Sequence, residues 1–241
     1  MFHPASPASL IAFLVICAGV LGAFLGGVWT SARRESAKPF RRTLLVSIGT
    51  LLWLAAIIMV VQCGWLHGDQ RRLLFLALTI NAISLGVGLS PIGRWLSLLP
   101  LPALVAFQGF RLPLELVLHS WVAQEVIPFT MTWSGRNWDI ITGVVALIAA
   151  PFCRRNVVPA WIANVVGLVL LANVMRVVVL SSPVSFGWPV EPKLQLIYHV
   201  PYALIVPVCV GGAVLGHVVL TRALLRRHGN PEIRFATSPP G

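Results

Sequence analysis

Asn173 and Arg176 interrupt an otherwise apolar run from Val165 to Leu180. A guanidinium at the centre of a bilayer costs roughly 2.5–3.5 kcal/mol on insertion scales, so Arg176 reads first as functional: it faces water, a partner or a ligand. The structural alternative is an arginine that snorkels to the interface or is internally paired. A second constellation is Arg111, Glu115 and His119, at i, i+4 and i+8. On a helix of about 3.6 residues per turn these fall within an arc of roughly 80°, one polar stripe that Gln108 extends. Such groups suit a proton relay; the plainer reading is a local Arg111–Glu115 ion pair beside an interfacial histidine. Pro113, between them, should kink the helix and free a carbonyl near the stripe. A third is the segment Glu125–Asp139, EVIPFTMTWSGRNWD, which holds Ser134, Arg136, Asn137 and Asp139. Ser134-Gly135 is placed to cap the next helix, whose N-terminus would favour an anion. His199 lies between the chain's two tyrosines, Tyr198 and Tyr202.

The elements that must position these groups are membrane helices. The chain has 241 residues, 57% of them hydrophobic and 10% charged, in long apolar runs. That composition predicts an all-α polytopic bundle of about seven spans, at roughly 9–30, 43–66, 73–90, 101–123, 138–153, 158–180 and 198–221. The fifth is short. Residues 91–102 read as a re-entrant turn or a continuation of the third span. One transmembrane domain is expected over 1–228 and a Pro- and Gly-rich disordered cytoplasmic tail over 229–241.

The net charge of +11 does not imply nucleic acid, because the basic residues sit in short loops. Odd-numbered loops and the tail carry Arg33, Arg34, Lys38, Arg41, Arg42, Arg94, Arg154, Arg155, Arg222, Arg226, Arg227 and Arg234; the other side carries Arg71, Arg72, Arg136 and Lys193. The positive-inside rule then puts the N-terminus outside and the C-terminus in the cytoplasm of a bacterial-type inner membrane. The first span, with basic residues after it, reads as a reverse anchor rather than a cleaved signal peptide. On this topology the outer ends of the later spans carry most of the ionisable groups, which predicts an outward-facing polar pocket. Cys17, Cys63, Cys153 and Cys209 lack metal-ligand spacing and read as small hydrophobes.

From Trp133 to His199 the chain resembles the catalytic half of the exosortase/archaeosortase superfamily, membrane enzymes that cleave and transfer proteins bearing C-terminal sorting signals. Their pattern is Cys-x-Gly at the outer start of one helix, Asn-x-x-Arg near the outer end of the next, and His at the start of the following one. The corresponding residues are Trp133-Ser134-Gly135, Asn173-Val174-Met175-Arg176 and His199. The resemblance implies a shared scaffold with Arg176 and His199 in the site. It does not carry the thiolate chemistry over, since Trp133 stands where the cysteine should be. The segment from Arg111 to Ile140 also looks like that of small uncharacterised bacterial membrane proteins.

Two functions compete on these residues. In the first, an exosortase-like scaffold binds or processes a peptide or an anionic lipid at the outer face. His199 would be general base, Arg176 would hold an oxyanion or carboxylate, and Ser134, Thr132 or water would be the nucleophile. Arg111, Glu115, His119, Arg136, Asn137, Asp139 and Asn173 would line the binding site. In the second, Arg111, Glu115 and His119 serve a proton- or ion-coupled transporter or channel. Metal binding by Glu115, His119 and His199 has weak support from spacing alone, and neither a metal nor a cofactor is expected. The seventh span has no lysine for a retinal Schiff base, and HExxH and GxSG motifs are absent.

Overall fold

The structure, a computed structural model, describes residues 2–35 and 38–228. It is an all-helical polytopic bundle. The helices are α1 (Pro7–Glu35), α2 (Pro39–Gln62), α3 (Gln70–Leu89), α4 (Pro91–Leu96), α5 (Leu101–Phe107), α6 (Arg111–Ala123), α7 (Ile140–Phe152), α8 (Val158–Ser181) and α9 (Gly211–His228). Among the described residues six segments are long and apolar enough to cross a membrane, α5 and α6 together forming one of them. α7 is a seventh rod of 13 residues, about 20 Å long against a hydrocarbon core of about 30 Å. The expected tail, 229–241, lies outside the described residues.

The packing is that of a protein dissolved in lipid. α2 buries only Ile57 and Val61, while its Leu44, Leu51, Leu52 and Met59 are exposed. Association therefore depends on close backbone approach rather than on hiding apolar surface from water. Gly143 shows this. A Cβ there would come within 2.5 Å of the Leu112 backbone nitrogen, so only glycine lets α7 lie directly on the start of α6.

Residues 91–102 form a fold-back. Ser90 caps α4 by accepting from the Ile92 amide, and a Cβ on Gly93 would collide with the Gly88 carbonyl. The chain thus turns sharply at Ser90 and continues through a short helix into α5. The fourth span is interrupted where Pro113 predicts. Pro113 cannot bond the Gly109 carbonyl, and residues Gln108–Phe110 tighten into a 3-10 turn between α5 and α6. The last span is less regular than its hydropathy suggests. Tyr202–Leu204 is a 3-10 turn and Ile205–Val210, around Pro207, widens into a π-helix, so the α-helix proper begins at Gly211.

Contacts sort the loops to two ends. At one end Ser6 bonds Gln124, Phe2 stacks on His199, Gln70 bonds Ser185, and Thr130 bonds Ser181. The N-terminal residues, the α2–α3 link, the α6–α7 link and the α8–α9 link are thereby gathered together. At the other end the Arg42 guanidinium lies over Trp95. Arg222 donates to the Gly88 and Ser90 carbonyls, and Arg226 to that of Ser97.

Candidate functional site

The predicted site residues resolve into three separate places. The first is buried. Arg111, 1% exposed, makes its ion pair with Asp139, the residue that precedes α7, and not with Glu115. Helical spacing favoured Glu115, but the close α6–α7 contact at Gly143 delivers a carboxylate from 28 residues away. Asp139 also accepts from the Thr142 hydroxyl at 2.9 Å. Glu115, 2% exposed, accepts instead from Asn137 Nδ2 at 2.8 Å, and Asn137 donates to the Met131 carbonyl as well. Arg111 Nε and Nη2 and Glu115 Oε2 have no protein partner. His119 leaves this group: it is exposed and stacks on Trp133 with ring centroids 4.3 Å apart. The four-residue step keeps it on the stripe, but it lies beyond the buried depth.

The second place is the loop end near Trp188. The Arg136 guanidinium lies 4.3 Å from the centre of the Trp188 ring and that of Arg176 lies 5.7 Å from the same ring. Asn173 ties them together: its Nδ2 donates to the Arg136 carbonyl at 2.8 Å, and its Oδ1 accepts from Arg176 Nη2 at 2.8 Å. The indole is held by its own backbone, since the Trp188 amide donates to the Leu180 carbonyl at 2.6 Å and its carbonyl accepts from Lys193 Nζ. Both arginines are exposed. Among the described residues no carboxylate forms an ion pair with either guanidinium at Trp188. Trp188 carried no catalytic signal in the sequence; only its position in a loop following Arg176 pointed to it.

The third place is a wide, open pocket of 690 Å³ that includes His199, His67, Asp69 and Phe2. His199 stacks on Phe2 with centroids 3.9 Å apart. Burial, and then the neighbouring His67, push its pKa below the usual 6.5.

Ser134 belongs to none of these constellations. It bonds Thr132 at 3.1 Å in a turn closed by the Gly135 amide on the Thr132 carbonyl. α7 starts later, after Asp139, without a side-chain cap, so the expected capping by Ser134 does not occur. Among the described residues no hydrogen bond or ring contact joins Ser134, Arg176 and His199. Trp133, at the position of the expected nucleophile, packs on His119. Also among the described residues, no three His, Cys, Asp or Glu side chains are placed to hold a metal ion together. Asn164 and His217, deeper in the bundle, bond each other at 2.9 Å.

No family model, curated protein or solved structure matches the chain. The fold and the three sites are the grounds for a functional reading.

Proposed function

We propose that this multi-pass protein recognises an anionic group at the outer surface of an inner (cytoplasmic) membrane, with Arg136 and Arg176 as the binding cations. One observation carries the reading: two exposed guanidinium groups lie against one indole ring, Asn173 bonds the Arg176 guanidinium and the Arg136 backbone carbonyl, and no described carboxylate pairs with either charge. Cation–π contact at an exposed site contributes about 0.5–1 kcal/mol, whereas two adjacent like charges repel. A bound anion relieves that repulsion and accepts from both forks. The loop charges favour placing this end outside. Arg176 lies near the end of α8, so an anion it meets sits at headgroup level. A lipid phosphate fits that depth better than a group in bulk water. The reading keeps the Asn-x-x-Arg half of the exosortase resemblance and omits its chemistry, because Trp133 supplies no nucleophile.

The test is binding of phosphatidylglycerol to the protein in otherwise neutral nanodiscs, read by native mass spectrometry. Arg136→Gln and Arg176→Gln each weaken retention, about tenfold for loss of one charge-assisted bond, and the double variant abolishes it. A double variant that retains the lipid like wild type ends the proposal. Preference for a peptide with a free C-terminal carboxylate keeps the anion site and replaces the lipid.

A second reading, proton or ion coupling, has one observation in its favour. Besides Arg111 and Glu115, both polar atoms of Gln108 and Nε2 of His217 are buried without a protein partner. Buried polar atoms of this kind commonly bind ordered water. His119, placed at the surface, is not part of that set. Proton-driven uptake by proteoliposomes, lost on His217→Leu, would favour this reading over the first.

A further inference from the structure

The bundle contains a cavity of 280 Å³ walled by α3, α6, α8 and the 196–213 segment. Its lining is mostly apolar, with Leu114, Leu171, Val178 and Ala213 as examples, and Arg111, Glu115, Asn137, Asp139, Asn81 and Ser182 are its polar members; Asn81 Oδ1 has no protein partner. This volume is just below the roughly 300–1,000 Å³ typical of small-molecule sites, enough for one hydrocarbon chain and not for a two-chain lipid. The polar part is unfinished. Arg111 Nε and Nη2 have donors without acceptors, and Glu115 Oε2 has no partner, although the two residues are only 1% and 2% exposed. A buried charged group left in that state costs about 1–3 kcal/mol or more, so water or the head of a ligand completes it, and the adjoining apolar space favours a ligand that carries a chain.

The chemistry of that group follows from what is already paired. Asp139 neutralises Arg111, and Glu115 is a second carboxyl beside it, so an anionic head would meet two acidic side chains and one arginine already paired. An ammonium head offers no acceptor to Arg111. A hydroxyl accepts from the guanidinium and donates to the carboxylate at once. We propose that the cavity holds an uncharged single-chain amphiphile of the long-chain alcohol or monoacylglycerol class, its chain among the aliphatic residues and its hydroxyl between Arg111 and Glu115. The site is separate from the arginine pair at Trp188 and does not depend on it.

The test uses the full chain in phosphatidylcholine nanodiscs and a long-chain alcohol carrying a diazirine in its chain. Photolysis should label peptides of α3, α8 or the 196–213 segment saturably. Unlabelled dodecanol and monoacylglycerol should compete, whereas dodecane and phosphatidylglycerol should not. Glu115→Gln, whose amide still hydrogen-bonds, should keep most labelling, and Glu115→Leu should weaken it about tenfold. Ala213→Phe and, on α3, Ala77→Phe each fill the cavity from a different wall and should abolish labelling; a melting curve like wild type for either one makes the comparison valid. Arg136→Gln/Arg176→Gln should label normally. Equal competition by dodecane would show that no head is read, and undiminished labelling in a folded cavity-filling variant would show that the cavity is not the site. Either result overturns the proposal, as would the finding that water alone occupies the space and no alcohol binds saturably.

Discussion

At the scale of single residues, the decisive charge is Arg111 rather than Arg176. Arg176 is exposed and shares an indole, so its cost is modest. Arg111 is buried, and Asp139 stands against its guanidinium. Breaking a buried ion pair by removing one partner costs about 3–5 kcal/mol, whereas replacing both partners with apolar residues of similar size is often nearly neutral. Asp139→Ala should therefore lower thermal stability by about 3–5 kcal/mol. The double variant Arg111→Met/Asp139→Leu should recover most of that loss and still lose the amphiphile, because its hydroxyl then has no guanidinium to meet. Thermal unfolding of the purified variants in one detergent measures the first effect, and photolabelling the second. A double variant no more stable than Asp139→Ala would mean that the pair organises the bundle beyond its own charge balance.

At the scale of elements, the site depends on how closely α7 lies on α6. Gly143 permits the contact, and the contact carries Asp139 to Arg111 and Asn137 to Glu115. Gly143→Ala puts a methyl group against the Leu112 backbone, where no flexible side chain can yield. Overpacking of this kind costs about 1–3 kcal/mol. Thermal melting should show that loss, and it should be non-additive with Asp139→Ala, since both act on one contact. Full additivity would separate the glycine from the ion pair. The same contact explains what was legible beforehand. Long apolar runs announce helices, and Pro113 announces the interruption at Gln108–Phe110, because those signals are local. The partner of Arg111 is not local. Spacing along one helix nominates Glu115, and nothing in the sequence reveals that a glycine on another helix brings a better-placed carboxylate. Ser134, Arg176 and His199 lie in a suggestive order along the chain, but order does not specify side-chain direction: Arg176 turns to Trp188 and His199 to Phe2.

At the scale of the whole molecule, the contacts define which loops share an end, and the loop charges then propose which end faces out. The cysteines offer a way to test it without disturbing the fold. Cys17, Cys153 and Cys209 are buried, and Cys63 is exposed in the link after α2. That link lies at the same end as Arg136, Arg176 and His199. Cys63 is therefore the native thiol that a membrane-impermeant maleimide should reach, and with positive-inside orientation it should react on intact cells. Arg155 is exposed at the opposite end. The variant Arg155→Cys, made in a Cys63→Ser background, should react only after the membrane is opened. If Cys63 stays protected until permeabilisation while the thiol introduced in place of Arg155 reacts at once, the bundle is inverted. The arginine pair would then face the cytoplasm, and the anion it meets would belong to the inner leaflet. The buried cavity would be untouched by that reversal, because its walls and its unpaired groups are set by the packing of α3, α6, α8 and the 196–213 segment and not by which side they face.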